Sequence, residues 1–137
     1  MKRWLVFLFI TLPLSTLCQN NPVKILFDIT SKDTLTHQAV LRHVSGMSEA
    51  YPAAILEVVV YGGALPMVVK QNSSTVQAIE KLAHHKNVSF KVCAITMKRY
   101  DIASSDLITG VQVVPDAIME IVTKQGQGWG YIKESHN

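Results

Sequence analysis

The chain has 137 residues, 48% of them hydrophobic and 17% charged, with a formal net charge of +3 and two cysteines, Cys18 and Cys93. That length accommodates one ordinary domain with a real core and excludes a second. The small net charge offers no electrostatic footprint for nucleic acid, and with Cys18 at the end of the leader read below, the single remaining cysteine excludes a disulfide framework within the chain, so stability has to come from packing.

Residues 1–18 read as a signal peptide. Lys2 and Arg3 supply a basic start, Trp4 to Leu12 an apolar stretch, and Pro13 to Cys18 a short segment with small polar residues. The uncharged run from Trp4 to Leu17 is well short of the roughly 20 apolar residues that span a bilayer. Cleavage after Cys18 would leave Gln19 as the first residue, an exported, periplasmic chain of about 119 residues near +1, and no membrane span. A lipoprotein anchored at Cys18 is the minor alternative, disfavoured because Leu17 before it is large.

Residues 19–137 then alternate apolar runs with helical patterns at short intervals, as in a parallel sheet between helical layers. Lys24 to Thr30 is too continuously apolar for a one-sided strand and predicts a central strand covered on both faces. Asp33 or Thr34 can cap a helix whose Leu35, Val40, Val44 and Met47 share a stripe, ending at Tyr51-Pro52. Ile55 to Tyr61 predicts a second strand, broken by Gly62-Gly63, with a short helical turn over Ala64 to Lys70.

Ser74 and Gln77 have capping-box spacing before a helix with Val76, Ile79, Leu82 and Ala83 on its apolar face, closed by Asn87 in the left-handed conformation. Val88 to Ala94 predicts the third strand, ending at Cys93, and Met97 to Ile102 a short helix. A turn at Thr109-Gly110 leads to a fourth strand, Val111 to Val114. Pro115 suits the first turn of the last helix, Ile118, Ile121 and Val122 its buried face, and Gly126 its end. Trp129 to Lys133 predicts a short final strand. The fold class is a single three-layer α/β/α domain with a mainly parallel sheet of about five strands.

In open α/β sheets the functional crevice lies beyond the carboxyl ends of the strands. Cys93 stands at such an end, and so do Asp28, Thr30, Tyr61, Gly62 and Gly63; Thr96, Lys98 and Arg99 follow it in the next segment. A helix start and nearby cations stabilise thiolate over thiol, and thiolate is the nucleophile. A free cysteine is also among the most frequently buried residue types, so spacing alone favours an inert core residue at Cys93.

Other constellations carry less. His84 and His85 are neighbours on a helix, so their side chains diverge by about 100°, and the remaining histidines are scattered; no metal site is expected. Gly62-Gly63 lacks the further glycines of a dinucleotide fingerprint, and no cofactor is expected. Trp129 and Tyr131 read as packing or subunit-contact residues.

Four blocks in order, Val58 to Leu65, Val88 to Met97, Gly110 to Pro115 and Gly128 to Lys133, make the sequence resemble the DsrE/DsrF-like family over nearly the whole segment after the leader. The resemblance implies a compact α/β/α domain assembled as a homotrimer or homohexamer. It also implies a sulfur carrier or sulfurtransferase-like protein that passes persulfide sulfur between donor and acceptor proteins through a cysteine, with no cofactor. The matching cysteine is Cys93. Two positions depart from the pattern: Tyr61 stands where relatives often have histidine, and Ile95 where many have asparagine. The alternative is a non-catalytic oligomeric binding or assembly protein on the same fold, with Cys93 inert.

Overall fold

The structure, a computed structural model, describes residues 21–71 and 73–135; the expected leader lies outside the described residues. Five strands form one parallel sheet in the order β4-β3-β2-β1-β5. They are β1 (Lys24–Ile29), β2 (Ile55–Val60), β3 (Val88–Cys93), β4 (Val111–Val114) and β5 (Gly130–Lys133). The connecting helices are α1 (Thr34–Ala50), α2 (Val76–Ala83), α3 (Ala94–Arg99) and α4 (Ala117–Gly126), with a 3-10 helix at Gly62–Val68.

The chain steps from β1 to β2, β3 and β4 in one direction and then returns past them to β5, which pairs with the far side of β1. Right-handed crossovers put connections that step one way on one face and a returning connection on the other. The packing follows that rule. Phe27, Ile29, Val58, Val60, Phe90 and Val92 form the main core with Val40, Val44, Ile79 and Leu82 of α1 and α2 and with Met67 of the 3-10 helix. The opposite face carries a smaller cluster, in which Ala117 and Ile121 of α4 meet Leu26, Val59 and Cys93. Burial of each larger aliphatic or aromatic side chain contributes about 1.5–3 kcal/mol, so the two-helix face supplies most of the stability.

Several local details differ from the sequence expectations. Asp33 caps α1, accepting from the Leu35 N–H at 3.0 Å, but Leu35 itself is exposed. Before α2 the cap residue is Thr75, and the Ser74–Gln77 box does not form. The Ser73 hydroxyl instead accepts from the Thr75 N–H at 3.1 Å and donates to the Met67 carbonyl at 2.6 Å. Asn87 does not adopt the left-handed conformation; its amide donates to the carbonyls of Pro52 and Ala54, pinning the β2 entry. The expected Met97–Ile102 helix begins three residues earlier, directly after Cys93.

Pro115 precedes the last helix, which is capped by the Asp116 carboxylate through the N–H groups of Ile118 and Met119. Its buried face is Ala117 and Ile121. Ile118 and Val122, expected inside, are 59% and 55% exposed, and Met119 beside them is 58% exposed.

Under α4 lies a buried carboxylate, Glu57, on the central strand β2. Its Oε2 accepts from Lys124 Nζ at 3.1 Å and from the Ser89 hydroxyl at 3.3 Å, while Oε1 has no partner. Lys124 is shared: it pairs with Glu120 at 3.4 Å and sits 4.5 Å over the Trp129 ring. Burial raises the Glu57 pKa above its ordinary 4.5, and the hydrogen bond and charge of Lys124 offset only part of that.

A raised acid favours the folded state while protonated, and that contribution is lost as pH climbs from about 4.5 through the folded value. We therefore expect the stability of Glu57→Gln to improve relative to the native chain as pH rises across this window, measured by urea unfolding at a series of pH values. A stability difference independent of pH would show that Glu57 titrates normally.

Candidate functional site

Cys93 is the last residue of β3 and the N-cap of α3, and its side chain points to the face covered by α4. Because α4 starts against the end of β3, the Ala117 N–H, in the first turn of that helix, donates to Cys93 Sγ at 3.5 Å. Cys93 is 4% exposed and lines a cavity of about 250 Å³. Around it stand Tyr61, Gly62, Thr96, Arg99, Asp116 and the rim residues Ile95 and Ile118.

Two opposing effects set the thiol. Burial pushes its pKa up; the Ala117 N–H, the N–H and hydroxyl of Thr96 and the Ile95 N–H pull it down, and together they win, so the value falls below the ordinary 9.0. Thr96 has a double role, since its hydroxyl also accepts from the Gly62 N–H at 3.2 Å and so ties the β2 loop to α3. Cations are not the cause. Arg99 lines the cavity, but Lys98 is exposed and is not among the lining residues.

The other strand-end residues form a second polar group next to the first. Asp28, 5% exposed at the side chain, accepts from the Tyr131 hydroxyl at 2.6 Å, from the Tyr61 hydroxyl at 3.4 Å and from Lys133 Nζ at 2.9 Å. Lys133 also donates to the Thr30 hydroxyl at 2.9 Å and lies 5.6 Å from the centre of the Tyr61 ring. Tyr61 joins the two groups: its ring packs on the cluster containing Cys93 while its hydroxyl faces Asp28.

The tyrosines act as donors here. Burial, the Asp28 charge, the hydrogen bond to it and a negative Cys93 all raise the Tyr61 pKa. The hydrogen bond to Asp28, with lesser help from burial, pushes Tyr131 up to about 12. Tyr61 therefore does not carry protons near neutral pH, unlike a histidine at that position.

Of the residues singled out from sequence, Cys93, Tyr61, Gly62, Thr96 and Arg99 share the thiol cavity, and Asp28 and Thr30 lie in the adjoining network. Gly63 faces a different cavity. Sequence reasoning missed Asp116, Ala117, Tyr131 and Lys133 as neighbours of the site. An Asp one residue before a helical pattern is a cap signal that could have placed the α4 start correctly.

The family model described as "DsrE/DsrF-like family" matches residues 24–133. Among solved structures, MTH1491 from Methanobacterium thermoautotrophicum, a protein of unknown function, superposes with a TM-score of 0.76 at 24% identity, covering 81% of this chain and 98% of that one. The ychN protein from E. coli superposes with a TM-score of 0.64 at 15% identity, covering 82% of this chain and 98% of that one. At these identities the likeness establishes the fold. No curated protein matches the sequence.

The Thr96 hydroxyl can be removed with almost no change of shape. Thr96→Val should move the pH profile of Cys93 alkylation by iodoacetamide to higher pH, and Thr96→Ser should restore it. An unchanged profile in Thr96→Val would show that the hydroxyl does not tune the sulfur.

Proposed function

Because the chain belongs to the DsrE/DsrF-like family, we propose that it is a sulfur carrier or sulfurtransferase-like protein working through Cys93. The observation that carries this reading is a thiol on a cavity wall whose anion is favoured by backbone and hydroxyl donors despite its burial.

The Cys93 thiolate attacks the outer sulfur of a donor persulfide, R–S–SH. A new S–S bond forms at Cys93, the donor S–S bond breaks, and the donor leaves as R–S⁻, giving Cys93–S–SH. An acceptor thiolate attacks the outer sulfur in turn, taking it as its own persulfide and releasing Cys93 as thiolate. Electrons balance in each exchange without an added oxidant or reductant. During both steps the Ala117 N–H and the Thr96 hydroxyl would stabilise negative charge on the cysteine sulfur.

The proposal includes export, with Gln19 as the first residue after cleavage, and assembly as a homotrimer or homohexamer. Ile118, Met119 and Val122 form an exposed apolar strip on α4, and Ile118 also rims the thiol cavity. An interface there would place the sulfur at the edge of a subunit contact and shield it in an oxidising compartment. A second reading, an assembly protein with an inert cysteine, is favoured by the 4% exposure of Cys93.

Intact mass separates the two. After incubation with a persulfide donor the carrier gains the mass of one sulfur atom, reductant removes it, and Cys93→Ser does not take it up. If native Cys93 takes up no sulfur and reacts with a small alkylating agent only after denaturation, the inert reading holds. The mass of the protein recovered from the soluble and the membrane fractions of the cell envelope also reports whether the chain starts at Gln19 or at a lipidated Cys18.

The double variant Met119→Asp, Val122→Asp should lower the assembly mass in sedimentation while leaving the far-ultraviolet circular dichroism unchanged. A native chain that sediments as a monomer at micromolar concentration would remove the proposed interface.

A further inference from the structure

The thiol pocket backs onto a larger cavity at the same end of the sheet, of about 410 Å³, with Gly62 belonging to both. Its walls are the side chains of Leu65, Pro66, Val69 and Ile102, with Tyr100 and Lys32 completing them. The backbone accounts for the space. Gly62 turns at φ +58, and a Cβ on Gly63 would lie 2.9 Å from the Thr30 carbonyl oxygen and 3.4 Å from the Lys32 nitrogen. Without that atom, the segment leading into α1 packs directly on Gly63 and brings Lys32 to the cavity.

Lys32 is the one charged residue among those that line this cavity. Lys32 forms none of the ion pairs among the described residues. The acid next to it in sequence, Asp33, is occupied at the start of α1, where its carboxylate accepts from the Leu35 N–H and the Thr36 hydroxyl. The cavity lining thus sets one charged residue, Lys32, against otherwise apolar and aromatic neighbours. Such a volume falls in the range of small-molecule sites, roughly 300–1,000 Å³. At about 30 Å³ per water-sized group it holds on the order of a dozen non-hydrogen atoms.

We propose that this cavity binds a small amphipathic carboxylate, an aromatic or medium-chain acid. The carboxylate meets the Lys32 ammonium, and the hydrocarbon lies against Leu65, Val69 and Ile102. One cation and an apolar wall suit one anionic head with a hydrocarbon body. A phosphate or nucleotide calls for several converging donors. The site is separate from Cys93, so this inference stands or falls independently of the sulfur reading.

Titrating the protein with octanoate, with 1-octanol as the uncharged match, tests it by calorimetry and by amide chemical shifts. The expected result is saturable octanoate binding with shifts at Leu65, Val69 and Ile102. Loss of a charge-assisted contact corresponds to about tenfold, so Lys32→Gln should weaken octanoate by about that factor and leave 1-octanol unchanged. Ile102→Trp, which narrows the cavity without altering Lys32, should abolish binding, and Cys93→Ser should bind as the native chain does. No saturable binding at millimolar octanoate, equal affinity for octanoate and 1-octanol, or full affinity in Lys32→Gln would overturn the proposal.

Discussion

Since β5 pairs on the far side of β1, the chain has to recross the sheet after β4, and α4 makes that return on the face opposite α1 and α2. The helix that recrosses must begin where β4 ends, beside the end of β3. This brings the first N–H groups of α4, which have no partners within the helix, up to the last side chain of β3. Asp116 takes those of Ile118 and Met119, and the sulfur of Cys93 takes that of Ala117. The environment of the thiol is thus a consequence of strand order: were β5 to continue beyond β4, the helix before it would lie on the other face.

The same return crossing explains why both buried carboxylates of the sheet strands, Asp28 and Glu57, lie on one side of the sheet. A single helix of ten residues cannot cover five strands, so side chains on this face are either under α4 or near water. Glu57 is the case under the helix, held by Lys124 from above. Asp28 is the case at the margin, where Tyr61, Tyr131 and Lys133 surround it. Two of those three donors belong to β5, whose residues are all exposed. Asp28 therefore acts as an anchor for an edge strand that has little apolar burial of its own, and the Glu134 N–H, bonded to the Asp28 carbonyl at 2.9 Å, extends that attachment past the strand end.

Much of this was legible in the sequence, and what was not has identifiable causes. The central strands β1 and β2 were readable because they are covered on both faces and so appear as apolar runs broken only by Asp28 and Glu57. The last helix failed on orientation: it carries two apolar stripes, Ala117 with Ile121 and Ile118 with Val122, and periodicity alone does not say which faces the sheet. The structure buries the smaller pair. Asn87 was assigned a local role at a helix end, whereas its amide spends its hydrogen bonds on Pro52 and Ala54, more than thirty residues away in sequence. The Asp28 group was hidden for a related reason. Leu26 pairs with Tyr131 and Asp28 with Lys133 only because β5 joins β1, a register that no local pattern encodes.

The two polar groups also bear on each other. A carboxylate near a thiol opposes thiolate formation, since like charges raise the cost of the second ionisation, but Asp28 is not among the groups that shift Cys93. Here Asp28 is turned toward Lys133 and the two phenols, and the Tyr61 ring stands on the cluster that contains Cys93. The Tyr61 proton is held firmly, because both neighbouring anions raise its pKa along with burial. Where a histidine could carry protons, Tyr61 is a fixed partition: its ring packs on the cluster containing the sulfur and its hydroxyl is committed to the carboxylate. The sulfur is left to be tuned by Ala117, Thr96 and Ile95 alone. For the proposed persulfide exchange such a site suffices, because attack on an outer sulfur requires a thiolate and a leaving thiolate but no proton delivered at the site.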